Sequence, residues 1–343
     1  MQIVYDPRQK GHDPQHFLVR GQPKANPETP ERVDILLAAL QAGGHPVSTP
    51  EEHGAGPRAA VHSPDYLRFL ATIADRWQAL PDAGAEVLPN VHPPMRDGGY
   101  PRSPVGQAGY HMADTACPIA AGTWEAVCAS ANTAVDAAAR LLGGAADAVY
   151  ALCRPPGHHA FADMAGGFCY LNNSAIAAQY LRRSAARVAI LDIDVHHGNG
   201  TQGIFYARRD VLTLSIHADP ADYYPFFWGY EAERGTGEGL GFNMNLPLPV
   251  GSGDAEVAAA LDRALERMAA YAPEILVVAL GLDASRDDPL KGMTVTPAGF
   301  QDLGRRIGSL TCPVLAVQEG GYVSASLGEN LAAFLTGFEA ARA

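Results

Sequence analysis

Short apolar runs and longer stretches of helical periodicity alternate through the second half of the chain. The apolar runs cover residues 148–153, 187–195, 211–216, 274–283 and 313–319, and helical patterns lie near 172–183, 254–271 and 297–307. A strand buried on both faces has no polar side to show, so it reads as a nearly continuous apolar run. Such strands alternating with helices predict an α/β fold, a parallel sheet covered by helices on both faces. Earlier in the chain, residues 30–40 predict a helix with Thr29 as N-cap, Pro30 at the first position and Gly43-Gly44 as the stop.

Two stretches break the alternation. Residues 80–122 are rich in Pro and Gly and show little periodicity, which predicts a functional loop or an interaction arm. Residues 218–253 predict a second excursion, carrying Tyr223, Tyr224, Phe226, Phe227 and Trp228 and then a glycine-rich run at 235–241. That run lacks the strand–turn–helix setting of a dinucleotide site and reads as a loop.

Composition changes the picture only modestly. The 343 residues are 47% hydrophobic, enough for a large core in one α/β domain. The formal charge of −12 argues against a nucleic-acid partner and is compatible with a cationic substrate or simply a solvated acidic surface. Five cysteines without a C-x-x-C pair fit a reducing compartment. The N-terminus shows no signal-peptide pattern and no apolar run is long enough to span a bilayer, so a cytoplasmic protein with no membrane partner is expected.

The candidate chemistry collects at the ends of the apolar runs. The run at 187–195 feeds Asp192-Ile-Asp-Val-His-His-Gly198. In an extended chain Asp192, Asp194 and His196 share one face and His197 takes the other. Buried carboxylates need partners, and two carboxylates with an imidazole form half of a metal cage. The bland alternative is a salt-bridged strand end. The other runs lead into Arg154-Pro-Pro-Gly-His-His-Ala160, Ser215-Ile216-His217, Asp283 and Glu319-Gly-Gly-Tyr322. Ligand sites of open α/β sheets lie at the carboxyl ends of strands. Asp194, His196 and Asp283 supply one nitrogen and two carboxylate oxygens, the donor pattern of a catalytic zinc with an open position. His158 and His159, set by a rigid Pro-Pro-Gly turn, are candidate acid and base. Tyr322 is a candidate oxyanion donor, or a packing tyrosine.

RPPGHHA (154–160), GGFCYLNN (166–173), DIDVHHGNGTQ (192–202), LSIHADP (214–220), GLDASRDDPL (281–290) and EGGY (319–322) together resemble the arginase/deacetylase superfamily. More closely, they resemble its zinc-dependent histone deacetylases and bacterial acetylpolyamine amidohydrolases. The resemblance implies a single deacetylase domain over 1–343, a three-layer αβα fold with a central eight-stranded parallel sheet. It implies one Zn2+ per chain on Asp194, His196 and Asp283, with His158, His159 and Tyr322 as catalytic residues. It implies a structural K+ or Na+ held by oxygens of Asp192, Asp194, His196, Ser215 and Ile216. Asp192 would orient the first histidine, and Asn199 would stand beside the second. Gly167, Phe168, Phe227 and Leu290 would line a narrow substrate tunnel. The 80–122 loop, running into Gly122-Thr-Trp-Glu-Ala126, resembles the dimerisation loop of polyamine deacetylases, so a homodimer and a small cationic acetylated amine are expected. Leu290 is closer to class II lysine deacetylases; polyamine-selective eukaryotic relatives carry Glu there. Charge selection would then come from Asp97 or Asp114 in the loop.

Three readings follow from the same residues. One is a zinc amidohydrolase removing acetyl groups from polyamines, or with broad specificity from acetyl-lysine. A binuclear ureohydrolase would need a D-A-H-x-D run, and the chain supplies a single Asp-x-His pair. A non-catalytic sensor would be expected to lose a ligand, a histidine or the tyrosine, and all are present.

Overall fold

The computed structural model describes residues 1–144 and 146–343. Eight strands form one sheet in which every pairing is parallel. In chain order the strands are β1 (Gln2–Val4), β2 (His16–Val19), β3 (Gln22–Ala25), β4 (Val47–Ser48), β5 (Ala148–Ala151), β6 (Val188–Asp192), β7 (Val211–Ala218), β8 (Asn243–Leu248), β9 (Ile275–Leu280) and β10 (Val314–Gln318). The sheet order is β4-β1-β5-β10-β9-β6-β7-β8, with β2 and β3 apart as an antiparallel hairpin.

The five strands legible in the sequence are the five adjacent central ones, β5-β10-β9-β6-β7. Their alternate residues enter different cores. Leu276, Val278 and Leu280 pack with the helices Glu31–Ala42, Asp254–Tyr271, Pro297–Gly308 and Leu327–Arg342. Ile275 and Val277 pack on the other face with the helices Thr123–Leu142 and Asn173–Leu181. Helices on both faces of a parallel sheet give the expected three-layer αβα architecture. Each fully buried Leu or Val contributes about 1.5–3 kcal/mol, so this double-sided burial fixes the register on which the site depends.

The flanking strands escape sequence reading for physical reasons. Strands β1 and β4 are three and two residues long. Strand β8 carries Asn243, Asn245 and Pro247 and pairs only with β7. It lies inside the stretch expected to be one long excursion.

Two local expectations need correction. The first helix begins at Glu31, preceded by Pro30 with no side-chain cap, and the Thr29 hydroxyl is buried without a partner. A working cap appears instead at Thr296, whose hydroxyl accepts the Gly299 N–H at 3.2 Å, with Pro297 opening the helix. The 80–122 stretch is also more ordered than its composition suggests. It contains the helix Pro104–His111, too short to show a period, and an antiparallel bridge between Val87 and Ile119. Ala108, Met112, Cys117 and Ile119 are buried against Tyr66, Phe69 and Ile73. No helix among the described residues is long and apolar enough to cross a membrane.

Candidate active site

The carboxyl edge of the sheet gathers the chemistry. Strand register sets Asp192 beside Ala279 on β9 and beside Ser215 on β7. Strand β6 ends at Asp192, so Asp194 and His196 lie in the turn beyond it rather than on the strand face that alternation predicts. They still converge. His196 Nδ1 is 3.1 Å from Asp194 Oδ1 and 3.2 Å from Asp283 Oδ2. The remaining carboxylate oxygens are fixed by backbone: Gly320 N donates to Asp194 Oδ2 at 2.8 Å and Val195 N to Asp283 Oδ1 at 3.0 Å.

This cluster fits a metal ion. All three side chains are buried, and their ligand atoms lie within 4.8 Å of one another. Neither carboxylate forms an ion pair with Lys or Arg among the described residues; only histidines face them. Buried carboxylates so placed require a cation. Without one the chain supplies a proton: burial pulls His196 down, but hydrogen bonds to Asp194 and Asp283 raise it to about 9. Asp283 is pushed up to about 6 by burial and by Asp194. Burial works against Asp194, yet His158 and His196 hold it below the usual carboxylate range.

A second trio, His158, Cys169 and Glu319, has equally close ligand atoms. It does not fit a metal. Glu319 is already satisfied by the Gly157 and His158 N–H groups and the Ser174 hydroxyl, at 2.6, 3.0 and 2.7 Å. Burial and Glu319 push the Cys169 thiol well up, and a thiol that stays protonated is a poor ligand.

The tandem histidines differ in their partners. His158 Nδ1 is 2.9 Å from Asp192 Oδ2, and His159 Nδ1 is 2.7 Å from Asn199 Oδ1. Burial lowers His158, but Asp194 and Asp192 outweigh it and hold it well above the usual imidazole range. Burial, His158 and His196 hold His159 well below that range. Asp192 itself is raised by burial against the pull of His158. The two adjacent imidazoles are thus shifted in opposite directions. Of the residues expected around a monovalent cation, Asp192 accepts the Asp194 N–H on Oδ1 at 3.0 Å, Ser215 is paired with Asp192, and Ile216 follows on β7. The Ser215 hydroxyl also lies 2.8 Å from His217 Nδ1.

Tyr322 closes the site. Its ring is buried, with the Arg32 guanidinium 4.9 Å from the ring centroid and the Phe168 ring 5.7 Å away. Its hydroxyl has no hydrogen-bond partner among the described residues, and burial with Asp283 keeps it protonated. Buried Arg32 also donates to the carbonyls of Glu319, at 2.7 Å, and Gly321. Glycines surround the carboxylates. A Cβ at Gly320 would lie 2.1 Å from Asp283 Oδ2, and one at Gly281 would lie 2.4 Å from Asp194 Oδ2.

The mouth is built from two loops. Gly167 and Phe168 both have positive φ, and a Cβ on Gly167 would meet His159 Cδ2 at 2.5 Å. Tyr224 stands edge-on to His159 at 5.0 Å, and its hydroxyl donates to Asp114 Oδ2 at 2.6 Å. Asp114 therefore sits beside the tunnel residues, whereas Asp97 lies on the exposed part of the loop. Phe168 is buried, while Phe227 is 84% exposed. Tyr223 stacks on His196 at 5.1 Å and donates to the Leu290 carbonyl at 2.9 Å.

Sequence reasoning assigned no role to Glu319, Asp288, Arg32 or Tyr224. A charged residue inside an apolar strand end was a usable signal for Glu319. Arg32 gave none, because arginine on a helix ordinarily reads as surface.

A parallel αβα sheet carrying a buried Asp–His–Asp cluster, paired histidines and a tyrosine at its carboxyl edge defines a metal-dependent hydrolase class. Residues 26–338 match the histone deacetylase domain family, and the chain belongs to it, a family of hydrolytic deacetylases. The chain is 50% identical to the acetylpolyamine amidohydrolase of Burkholderia pseudomallei (strain 1710b), over 100% of both chains. It is 44% identical to acetylpolyamine amidohydrolase 1 of Pseudomonas aeruginosa, covering 99% of each. A crystal structure of acetylpolyamine aminohydrolase from Burkholderia pseudomallei superposes with a TM-score of 0.97 at 49% identity, over 100% of both chains.

Proposed function

We propose that the chain is a zinc-dependent amidohydrolase that removes acetyl groups from acetylated polyamines, releasing acetate and the free amine. The observation that carries the reaction is the meeting of the Asp194–His196–Asp283 cluster with two adjacent histidines, one paired with Asp192 and the other with Asn199, and a free tyrosine hydroxyl. What supports the substrate is full-length likeness to acetylpolyamine amidohydrolases and the Asp114 carboxylate at the mouth. The one sheet draws strands from Gln2 to Gln318, which favours reading the chain as one deacetylase domain.

Asp194, His196 and Asp283 would hold the zinc, which supplies an acidified water and a polarised acetyl carbonyl when bound. His159 donates Nδ1–H to Asn199, which leaves Nε2 free to take a proton from the attacking water. His158, held by Asp192, supports the developing negative charge. The Tyr322 hydroxyl donates to the tetrahedral oxyanion. His159 then passes its proton to the leaving amine. The monovalent cation on Asp192, Asp194, His196, Ser215 and Ile216 would be K+ or Na+ and would fix the turn carrying the ligands.

The exposed Val91 and Met95 of the long loop favour a homodimer contact that narrows the entrance. We further propose a cytoplasmic location, supported by five cysteines that all remain free thiols. A broad acetyl-lysine deacetylase is the second reading, favoured by the apolar Leu290 at the gate. The deciding experiment compares kcat/KM for acetylputrescine, acetylspermidine and an acetyl-lysine peptide on one preparation. Preference for the peptide would overturn the polyamine assignment, and no turnover of any would overturn both.

A further inference from the structure

Asp288 is a buried carboxylate outside the metal cluster, and its two oxygens serve two different loops. Oδ2 accepts the backbone N–H of Tyr322 at 2.9 Å. Oδ1 accepts the backbone N–H of Leu290, also at 2.9 Å. It makes no hydrogen bond to Asp194, His196 or Asp283 among the described residues. The Leu290 carbonyl is held from the other side by the Tyr223 hydroxyl at 2.9 Å, and the Tyr223 ring stacks on His196. Tyr322 is otherwise placed by ring contacts with Arg32 and Phe168, and by the Arg32 guanidinium, which donates to the carbonyl of Gly321 in the same peptide. The ring contacts fix the plane of the ring. Asp288 holds the N–H of the Gly321–Tyr322 peptide while Arg32 holds its carbonyl, and only the Asp288 bond ties that peptide to the Leu290 loop.

We infer that Asp288 is a positioning residue that couples the oxyanion donor to the substrate gate. The inference rests on the reading of Tyr322 as that donor and Leu290 as part of the gate. The chemistry of the two bonds selects a carboxylate. Two N–H donors converge on one side chain, so both of its terminal atoms must accept. An ionised aspartate, the form that the two N–H bonds favour against burial, offers two acceptor oxygens and no donor, whereas an asparagine offers one oxygen and an NH2. In Asp288→Asn that NH2 would face the N–H of Tyr322 or of Leu290, and one of the two loops would be released. A hydroxyl displaced by about 1 Å can cost about 10²-fold in rate, so the effect on turnover should be large although Asp288 touches no reacting atom.

The test is a double-mutant cycle in fully metal-loaded protein, with Asp288→Asn made alone and in the Tyr322→Phe background. Metal stoichiometry and melting curves are measured beside kcat and KM. Asp288→Asn alone should lower kcat by about 10–100-fold with metal content unchanged. In the Tyr322→Phe background the same change should lower kcat by less than about three-fold, because residues acting as one unit are not additive. In both backgrounds it should alter the ratio of KM for acetylputrescine to KM for an acetyl-lysine peptide, since the Leu290 anchor is lost either way. Asp288→Glu keeps both acceptors but displaces them by one methylene, and it should reproduce the same pattern. Equal losses of kcat in both backgrounds, or a wild-type kcat, would overturn the inference. So would failure of both variants to fold, which would assign Asp288 to stability alone. Wild-type turnover in Tyr322→Phe by itself would instead overturn the catalytic reading of Tyr322.

Discussion

Asn199 Oδ1 stands 2.7 Å from His159 Nδ1, so the second of two adjacent histidines faces a neutral amide while the first faces a carboxylate. Burial, His158 and His196 then hold His159 neutral, as a base must be. Asn199→Asp should place a carboxylate there and stabilise the protonated form. The acidic limb of the kcat/KM profile should move to higher pH by roughly one unit or more. An unmoved limb would show that His159 is not the group titrating in that limb.

Removing one ligand should separate metal from fold. Asp283→Ala should abolish metal binding and turnover together while the sheet stays folded, since Asp283 lies past the end of β9. Metal analysis beside circular dichroism checks this. Stoichiometric metal with wild-type turnover would remove Asp283 from the ligand set.

Tyr322→Phe keeps the buried ring and its contact with Phe168. It should retain metal and lose about 10²–10³-fold in kcat, the usual cost of one oxyanion donor. A loss of only a few-fold would make Tyr322 a packing residue.

The acid cluster gives metal-stripped protein a pH signature. Burial lowers His196, but Asp194 and Asp283 raise it in the folded state from 6.5 to about 9. Between those values the folded state binds more protons than the unfolded state, so stability falls as pH rises from 6.5 towards 9. Metal-loaded protein has no such proton to lose and should keep its melting temperature over that window. A flat melting profile for the stripped protein would contradict the charge balance described for the cluster.

The long loop offers a surface test. Val91 and Met95 are 51% and 70% exposed. Replacing both by Glu should weaken self-association in sedimentation velocity and raise activity on acetyl-lysine peptides relative to acetylputrescine. A protein that is monomeric before the change would overturn the dimer, and the deacetylase assignment would stand without it.

The sequence was legible where one force dominated. Burial on both faces wrote β5, β6, β7, β9 and β10 as apolar runs. The need to compensate buried charge marked Asp194, His196 and Asp283. Strands β1, β4 and β8 were illegible because they are short or polar. The helix Pro104–His111 was hidden because eight residues hold barely two turns. Asp288 and Arg32 reach backbone groups across 34 and 289 residues of chain, and no local pattern records such pairings. Thr29 shows the reverse error, a good local cap signal that tertiary packing overrode.

The glycines packed on the carboxylates divide the molecule by its freedom to change. At Gly281 and Gly320 the smallest added side chain would occupy space already held by Asp194 or Asp283. The reaction centre therefore has no adjustable wall, and its chemistry descends intact or not at all. Phe227, largely exposed, and Leu290, partly exposed, stand where a change of side-chain size meets no such wall. Divergence towards a new acylated amine has room only there, so this architecture inherits one reaction and negotiates its substrates at the rim.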